Sequence, residues 1–170
     1  MRCSKLLPRL ACLGLLGCAP TEKLSQSEIA VEQQILTGLV TDWERAVNSR
    51  NLDSMTMFNH KVPDFVGIWS DGRRAQGWEA ESTTTVEFLK RTPALNLDVQ
   101  DPTTQVLTRS VALTTFRRSL DITDSLAGRQ LYAGFGTLVW VKDPADGRWK
   151  IHARQVSRNP PPPAAPPGRR

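Results

Sequence analysis

Residues 131–157 read LYAGFGTLVWVKDPADGRWKIHARQVS, and this stretch decides the fold. The run 131–142 has the composition of a strand, and its glycines at 134 and 136 suit a bend or a bulge. The segment DPADG at 143–147 is a turn, and residues 149–157 form a second strand. The stretch therefore predicts an antiparallel hairpin.

Two further strands precede this hairpin, and helices precede the strands. Residues 95–107 alternate in part between apolar and polar side chains, with a break at 101–102, and residues 111–120 alternate as well. Ser25 and Glu28 have the spacing of a capping box, and apolar residues then recur at helical spacing to about Asn48. The first half of the chain therefore starts with a long helix.

Shorter elements fill the region between the first helix and the strands. Asn51 and Asp53 can cap a second helix, which Pro63 ends, and a short strand over 65–69 leads into a turn at 70–72. A third helix is expected over 78–91. Helices first and a strand meander last predict an α+β fold, with three N-terminal helices packed on one face of a curved antiparallel sheet.

The N-terminus has the organisation of an export signal. Arg2, Lys5 and Arg9 precede an uncharged, apolar run over 10–17, which is too short to span a membrane. The following residues, Leu15-Leu16-Gly17-Cys18, resemble the bacterial lipobox, whose cysteine thiol takes a diacylglycerol and becomes the new N-terminus. An ordinary signal peptide and a chance Leu-rich start of a cytoplasmic protein are the alternatives.

We expect four segments on this basis: a signal peptide over 1–17, a linker over 18–25 from lipidated Cys18, a single domain over 26–158 and a disordered Pro-rich tail over 159–170. Ala19 follows the cysteine, whereas aspartate there is the usual signal for inner-membrane retention. The expected location is therefore the cell envelope, on the outer membrane facing the periplasm. Cys3 and Cys12 leave with the signal, so no disulfide or thiolate site is expected.

The positive charge of the chain lies mostly in its ends. The whole chain carries +5, but residues 18–157 hold 16 basic and 17 acidic residues, a net charge of −1. A domain without basic excess lacks the electrostatic signature of nucleic-acid binding. We therefore predict no nucleic-acid partner.

Two parts of the domain resemble a known superfamily. The first comprises residues 136–140, 146–151 and 155–157, which read GTLVW, DGRWKI and QVS; the second is WERAVNSRNLD at 43–53. With the glycines at 72 and 77, their order and spacing over 27–158 resemble the NTF2-like superfamily. The branch they resemble is that of the SnoaL-like domains near the calcium/calmodulin-dependent kinase II association domain. The resemblance implies a cone-shaped α+β fold with a pocket between sheet and helices, and a homodimer formed through the outer sheet face.

The catalytic positions of the superfamily are not matched. The helix-1 tyrosine position falls on Trp43, and the final-strand histidine position falls on Gln155. The strand after helix 2 has no carboxylate, although Asp64 flanks it as a possible acid and Asp71 lies in the next turn. No catalytic residue is therefore assigned. The sequence favours a non-catalytic role, and an enzyme stays open as the alternative.

The predicted pocket-lining residues are Trp43, Trp69, Arg117 and Gln155. The family position places Arg117 in the pocket. In an alternating strand Arg117 would also point to the same side as Val111 and Leu113. An inward Arg117 needs an anion, either a ligand carboxylate or a protein acid, whereas an outward one is a solvated edge residue. His60 and His152 are expected on the surface without a carboxylate partner, so no metal site and no cofactor is predicted.

Three functions remain open at this point. The first is a non-catalytic binding or assembly module that holds a small acidic or aromatic ligand. The second is an isomerase-, cyclase- or dehydratase-type enzyme that uses a non-standard pair such as Trp43 with Asp64 or Arg117. The third is a purely structural dimerisation domain whose cone is filled.

Overall fold

The structure is a computed structural model that describes residues 23–159. It contains three helices and six strands within that range: α1 Gln26–Asn48, α2 Leu52–Thr56, β1 Val66–Ile68, β2 Arg74–Gln76, α3 Trp78–Arg91, β3 Ala94–Val106, β4 Val111–Asp124, β5 Gly128–Lys142 and β6 Trp149–Val156. Cys18 and residues 160–170 of the predicted tail lie outside the described residues. No helix within 23–159 is long and apolar enough to cross a membrane.

The helix caps form as the sequence predicts. Ser25 Oγ accepts a hydrogen bond from Glu28 N at 3.2 Å, and a Glu28 carboxylate oxygen accepts one from Ser25 N at 2.7 Å, which confirms the capping box. Asn51 Oδ1 accepts from Ser54 N at 2.9 Å at the start of α2. These bonds satisfy backbone N–H groups that have no partner inside a helix.

The six strands form one curved sheet in the order β2-β1-β6-β5-β4-β3. The meander from β3 to β6 is antiparallel, as predicted, and α1 packs across β3. The sheet differs from the prediction in one pair, since β1 lies parallel to β6. The last strand of the meander, β6, lies beside β1 and runs in the same direction as β1. The short strand β2, which the sequence did not predict, pairs with β1 at the edge.

A β-bulge in β6 changes which side chains face the helices. Val139 pairs with Ala153 and Trp140 pairs with Ile151, so His152 is the extra residue between them. An extra residue reverses the alternation of side chains beyond it. Ile151 is buried on the inner face before the bulge, whereas Arg154 and Val156 lie on that face after it.

The interior of the cone has a packed end and an open end. Large apolar side chains without solvent exposure fill the packed end: Leu36 of α1, Phe65, Leu138, Trp140 and Ile151. Trp140 Nε1 donates to Thr114 Oγ1 at 2.9 Å, so its polar atom is also satisfied. Towards the other end the side chains do not fill the space, and a cavity remains between the sheet, α1 and α3.

The capping box predicts a pH dependence of stability. Hydrogen bonds from Ser25, together with Arg109, lower the pKa of Glu28 to about 2 from its ordinary value of 4.5. A carboxylate whose pKa is lower in the folded state stabilises the fold above its unfolded value and loses that effect as the pH falls through its folded value. Glu28→Gln should therefore lower the thermal midpoint at pH 7, and the difference from wild type should shrink between about pH 4.5 and pH 2.

Thermal unfolding followed by circular dichroism measures this difference. Glu87→Gln, at an exposed position of α3, is the matched control and should show a small effect at every pH. A destabilisation by Glu28→Gln that stays constant from pH 7 to pH 2.5 would contradict the assignment.

Candidate functional site

The cavity has a volume of about 290 Å³ and is lined by apolar and aromatic side chains with several arginines among them. Its apolar walls come from α1, α3 and the inner face of the sheet and include Trp43, Trp69, Phe88, Leu97, Leu120 and Ile122. The arginines are Arg73, Arg91, Arg118, Arg154 and Arg158. An apolar pocket with a few convergent polar groups is the usual form of a small-molecule site.

Arg118 is the most deeply buried of these cations, with only 5% of its surface exposed. It lies on β4 opposite Gly134, and its Nη2 donates to the carbonyl oxygen of Ser157 at 2.8 Å. A Cβ at Gly134 would overlap with that same carbonyl oxygen, so the glycine lets the C-terminal strand approach closely. The sequence thereby provides Arg118 with a backbone partner.

No carboxylate lies within 4.0 Å of Arg118 among residues 23–159, and its buried Nε has no hydrogen-bond partner there. Burial, and then the nearby charge of Arg154, lower the pKa of Arg118 to about 10. The guanidinium is therefore still charged at neutral pH. A buried charge without a counterion is unfavourable, and this cost falls when an anion binds.

Arg154 is held differently. Its Nη2 forms an ion pair with Glu81 Oε1 from α3, and its guanidinium carbon lies 4.7 Å from the centre of the Trp69 ring. Trp69 Nε1 donates to the other carboxylate oxygen of Glu81 at 3.2 Å. Three side chains from α3, β6 and the end of β1 thus form one buried polar cluster on the cavity wall.

The remaining cations of the cavity lie towards solvent. Arg73 pairs with Asp71 at 2.7 Å, and Arg91 pairs with Asp124 at 2.8 Å. Arg158 lies over the ring of Tyr132 at 5.7 Å. The rim is therefore polar and largely neutral, whereas the interior carries an unneutralised positive charge.

Two of the predicted pocket residues, Trp43 and Trp69, line the cavity. Arg117 does not: its side chain is 60% exposed and its Nε donates to Asp101 at 3.0 Å on the outer face of the sheet. The prediction used Val111 and Leu113 to assign the inner face. The buried face of β4 instead carries alternate residues from Ala112 to Arg118, because the outer face is also partly apolar.

Gln155 is exposed and also lies outside the cavity lining. The physical reason is the bulge at His152, which turns residue 155 outward and its neighbour Arg154 inward. Without the bulge, Gln155 would lie on the same face as Trp149 and Ile151, as regular alternation along the strand predicts.

Asp64 is 76% exposed and does not reach the cavity. Its Oδ2 lies 3.7 Å from His152 Nε2, and the Nδ1 atoms of His152 and His60 are 3.2 Å apart. The two histidines therefore contact each other, and one of them has a carboxylate neighbour, contrary to the sequence prediction. Among residues 23–159, no group of three His, Cys, Asp or Glu side chains could hold a metal ion.

The sequence missed four residues of the site: Glu81, Arg118, Tyr132 and Arg154. For Arg118 a signal was present, since it shares parity with Phe116, which is buried. The glycines at 134 and 136, interpreted from sequence as a bend, lie opposite these two residues; Gly136 gives room to the Phe116 ring, and Gly134 gives room to the Ser157 backbone that Arg118 contacts. No sequence signal marked Glu81, because its partner Arg154 is contributed by a distant strand and faces inward only after the bulge.

Comparison with known proteins identifies the fold and the family. The family model of the SnoaL-like domain matches residues 37–161. An NTF2-like superfamily protein from Salmonella enterica serovar Typhimurium is 17% identical, with a TM-score of 0.70 over 79% of this chain and 96% of that chain. A candidate calcium/calmodulin dependent protein kinase II association domain from Xanthomonas campestris is 19% identical, with a TM-score of 0.63 over 75% of this chain and 87% of that chain.

A ketosteroid isomerase-like protein from Erwinia carotovora is 12% identical, with a TM-score of 0.64 over 76% of this chain and 98% of that chain. At these identities the solved structures show a shared fold and no shared activity. No curated protein matches the sequence significantly. The family model, however, covers most of the chain, and its match agrees with the observed α+β cone and its cavity. The chain belongs to the SnoaL-like family of the NTF2-like fold.

Proposed function

We propose that the mature protein is a lipid-anchored binding module of the cell envelope that holds a small organic anion with an apolar body, without catalysis. The observation that carries this proposal is Arg118, a buried guanidinium that has no carboxylate partner within residues 23–159. A ligand carboxylate beside this guanidinium, which lines the cavity, would supply the missing counterion. The aromatic and aliphatic walls would bury the rest of the ligand.

Two of the three acids that line the cavity support a non-catalytic role. Burial disfavours the charge of Asp71, but hydrogen bonds from Arg73 outweigh it and lower the pKa. Backbone N–H groups of Leu126 and Ala127, together with Arg91, lower the pKa of Asp124. Carboxylates with lowered pKa values and engaged oxygens are poor general bases, since an efficient base has a pKa near the working pH.

The two other functions have less support. An enzyme that pairs Trp43 with Asp64 or Arg117 requires that partner to face the cavity, and both side chains are exposed to solvent outside the cavity lining. A purely structural domain requires a filled cone, and the cone contains a cavity of about 290 Å³. A binding module is consistent with both observations.

The anchor and the dimer belong to the same proposal. The lipobox-like sequence ending at Cys18 supports lipid attachment, with the outer membrane facing the periplasm as the location. The outer sheet face carries Leu131 and Phe135, which are 73% and 57% exposed. Apolar side chains clustered on one face favour association, and we propose that two copies pair through this face.

Cys18→Ser should abolish lipid attachment. The chain produced in a bacterial host should partition into detergent as wild type and remain in the aqueous phase as the variant, and mass spectrometry should show the lipid mass only in the former. Cys12→Ser is the matched control and should behave as wild type, because residue 12 leaves with the signal. Detergent partitioning by Cys18→Ser would contradict the anchor.

Arg118→Gln should weaken the binding of an aromatic carboxylate. Phenylacetate is a suitable probe, and isothermal titration should show a loss of roughly 30-fold or more, because the anion loses its buried counterion. Arg117→Gln, one residue along the same strand and outside the cavity, should bind as wild type. The neutral probe phenylacetamide should bind weakly to all three proteins. Equal binding of acid and amide by the wild type would contradict the proposal.

Arg118→Leu should stabilise the protein in the absence of ligand. Replacing a buried charge that lacks a counterion with an apolar side chain removes a desolvation cost, and we expect a gain of about 1 kcal/mol in the free energy of unfolding. Urea unfolding measures it, and Arg117→Leu should change the stability by less than about 0.5 kcal/mol. A clear destabilisation by Arg118→Leu would show that the arginine serves the fold instead of a ligand.

A further inference from the structure

We infer that Glu81 restricts the cavity to ligands that carry one negative charge. It does so by neutralising Arg154, which leaves Arg118 as the one buried cation of the cavity lining without a carboxylate among residues 23–159. This inference rests on the proposed function, which assigns the cavity to an organic anion. It adds the number of negative charges that the anion carries and the residue that determines this number.

Glu81 is a fixed counterion. Only 1% of its surface is exposed, and each of its carboxylate oxygens has a partner: Oε1 accepts from Arg154 Nη2, and Oε2 accepts from Trp69 Nε1 at 3.2 Å. A buried carboxylate with both oxygens engaged is held in one orientation. It cannot move towards Arg118 without breaking these bonds.

Arg154 would otherwise be a second anion site. Its side chain lines the cavity with 14% exposure, and it is near enough for its charge to contribute to the lowered pKa of Arg118. The ion pair with Glu81 and the stacking on Trp69 hold its guanidinium against the wall. Its charge is thereby matched inside the protein.

Strand β1, which faces the Glu81 side chain, makes room for its carboxylate. Gly67 of β1 lies against the Glu81 side chain, and a Cβ at that position would overlap with Glu81 Oε2. Glycine in a strand interior has an entropic cost and often marks a close approach. Its presence here lets the buried carboxylate reach both Trp69 and Arg154.

The rim does not alter this charge count. Arg73 and Arg91 each have an acidic partner, and the two exposed lining residues Glu87 and Arg158 carry opposite charges. The interior is thus left with one net positive charge. A ligand with one carboxylate balances it, whereas a second carboxylate would be desolvated without a counterion.

Phenylacetate and phenylmalonate test the inference, since both carry a phenyl group and they differ by one carboxylate. Isothermal titration at neutral pH should show that the wild type prefers phenylacetate by on the order of tenfold. Glu81→Gln frees Arg154 and should reverse the order, so that phenylmalonate binds tighter by a similar factor. Gln is nearly isosteric and can still accept from Trp69.

Two further variants separate charge from shape. Arg154→Gln leaves the Glu81 charge inside the cavity, so the net interior charge falls to zero and both probes should bind weakly. The double variant Glu81→Gln/Arg154→Gln restores one positive charge and should regain the wild-type preference for phenylacetate. The double variant contains no buried charge at either position, so it also provides the comparison if Glu81→Gln does not fold.

The outcomes distinguish the inference from the proposed function. If the wild type binds neither probe, the proposed function fails and the inference fails with it. If the wild type binds phenylacetate but the ratio of the two affinities is unchanged in Glu81→Gln, the anion site stands and the role of Glu81 is overturned. A double variant that binds no better than Arg154→Gln also overturns it.

Discussion

A guanidinium buried without a carboxylate partner is the constraint on which the interior of this protein depends. The side chain of Arg118 enters the cone from β4, and burial together with the charge of Arg154 lowers its pKa. The protein supplies only a carbonyl oxygen, from Ser157, and leaves Nε without a partner among the described residues. A fold selected for stability alone would place an apolar residue there. The cost is consistent with a cavity built to receive an anion.

Three features shape the surroundings of this charge. Gly134 allows the C-terminal strand to approach Arg118, and the bulge at His152 turns Arg154 inward. The carboxylate of Glu81 then neutralises Arg154, so the two neighbouring arginines do not leave two unmatched charges. Bulge, glycine and buried acid therefore act together. The packed end of the cone supplies the rigidity that such an arrangement needs.

Local signals predicted the secondary structure well. The capping box at Ser25, the Asn51 cap and the final hairpin follow from short-range hydrogen bonding and turn chemistry. The third helix follows from the spacing of its apolar residues, and it is present as well. The parallel pairing of β1 with β6 did not follow from them, because it depends on where the meander ends in space.

The site was less predictable because it depends on the direction of side chains along two strands. In β4 both faces carry apolar residues, so family position and alternation together gave the wrong face for Arg117. In β6 one extra residue reversed the parity and exchanged the places of Gln155 and Arg154. All four pocket residues were placed by family position, and only Trp43 and Trp69, which lie outside these two strands, line the cavity. The role of Glu81 could not be predicted from the sequence, because it depends on a tertiary contact with Arg154.

A crystal structure of the protein with phenylacetate tests the central claim most directly. The account predicts that the carboxylate oxygens lie within hydrogen-bond distance of the Arg118 guanidinium, with the phenyl ring against the aromatic wall and the Glu81–Arg154 pair intact. A carboxylate bound at the rim, or at Arg154 with its pair to Glu81 broken, would contradict it.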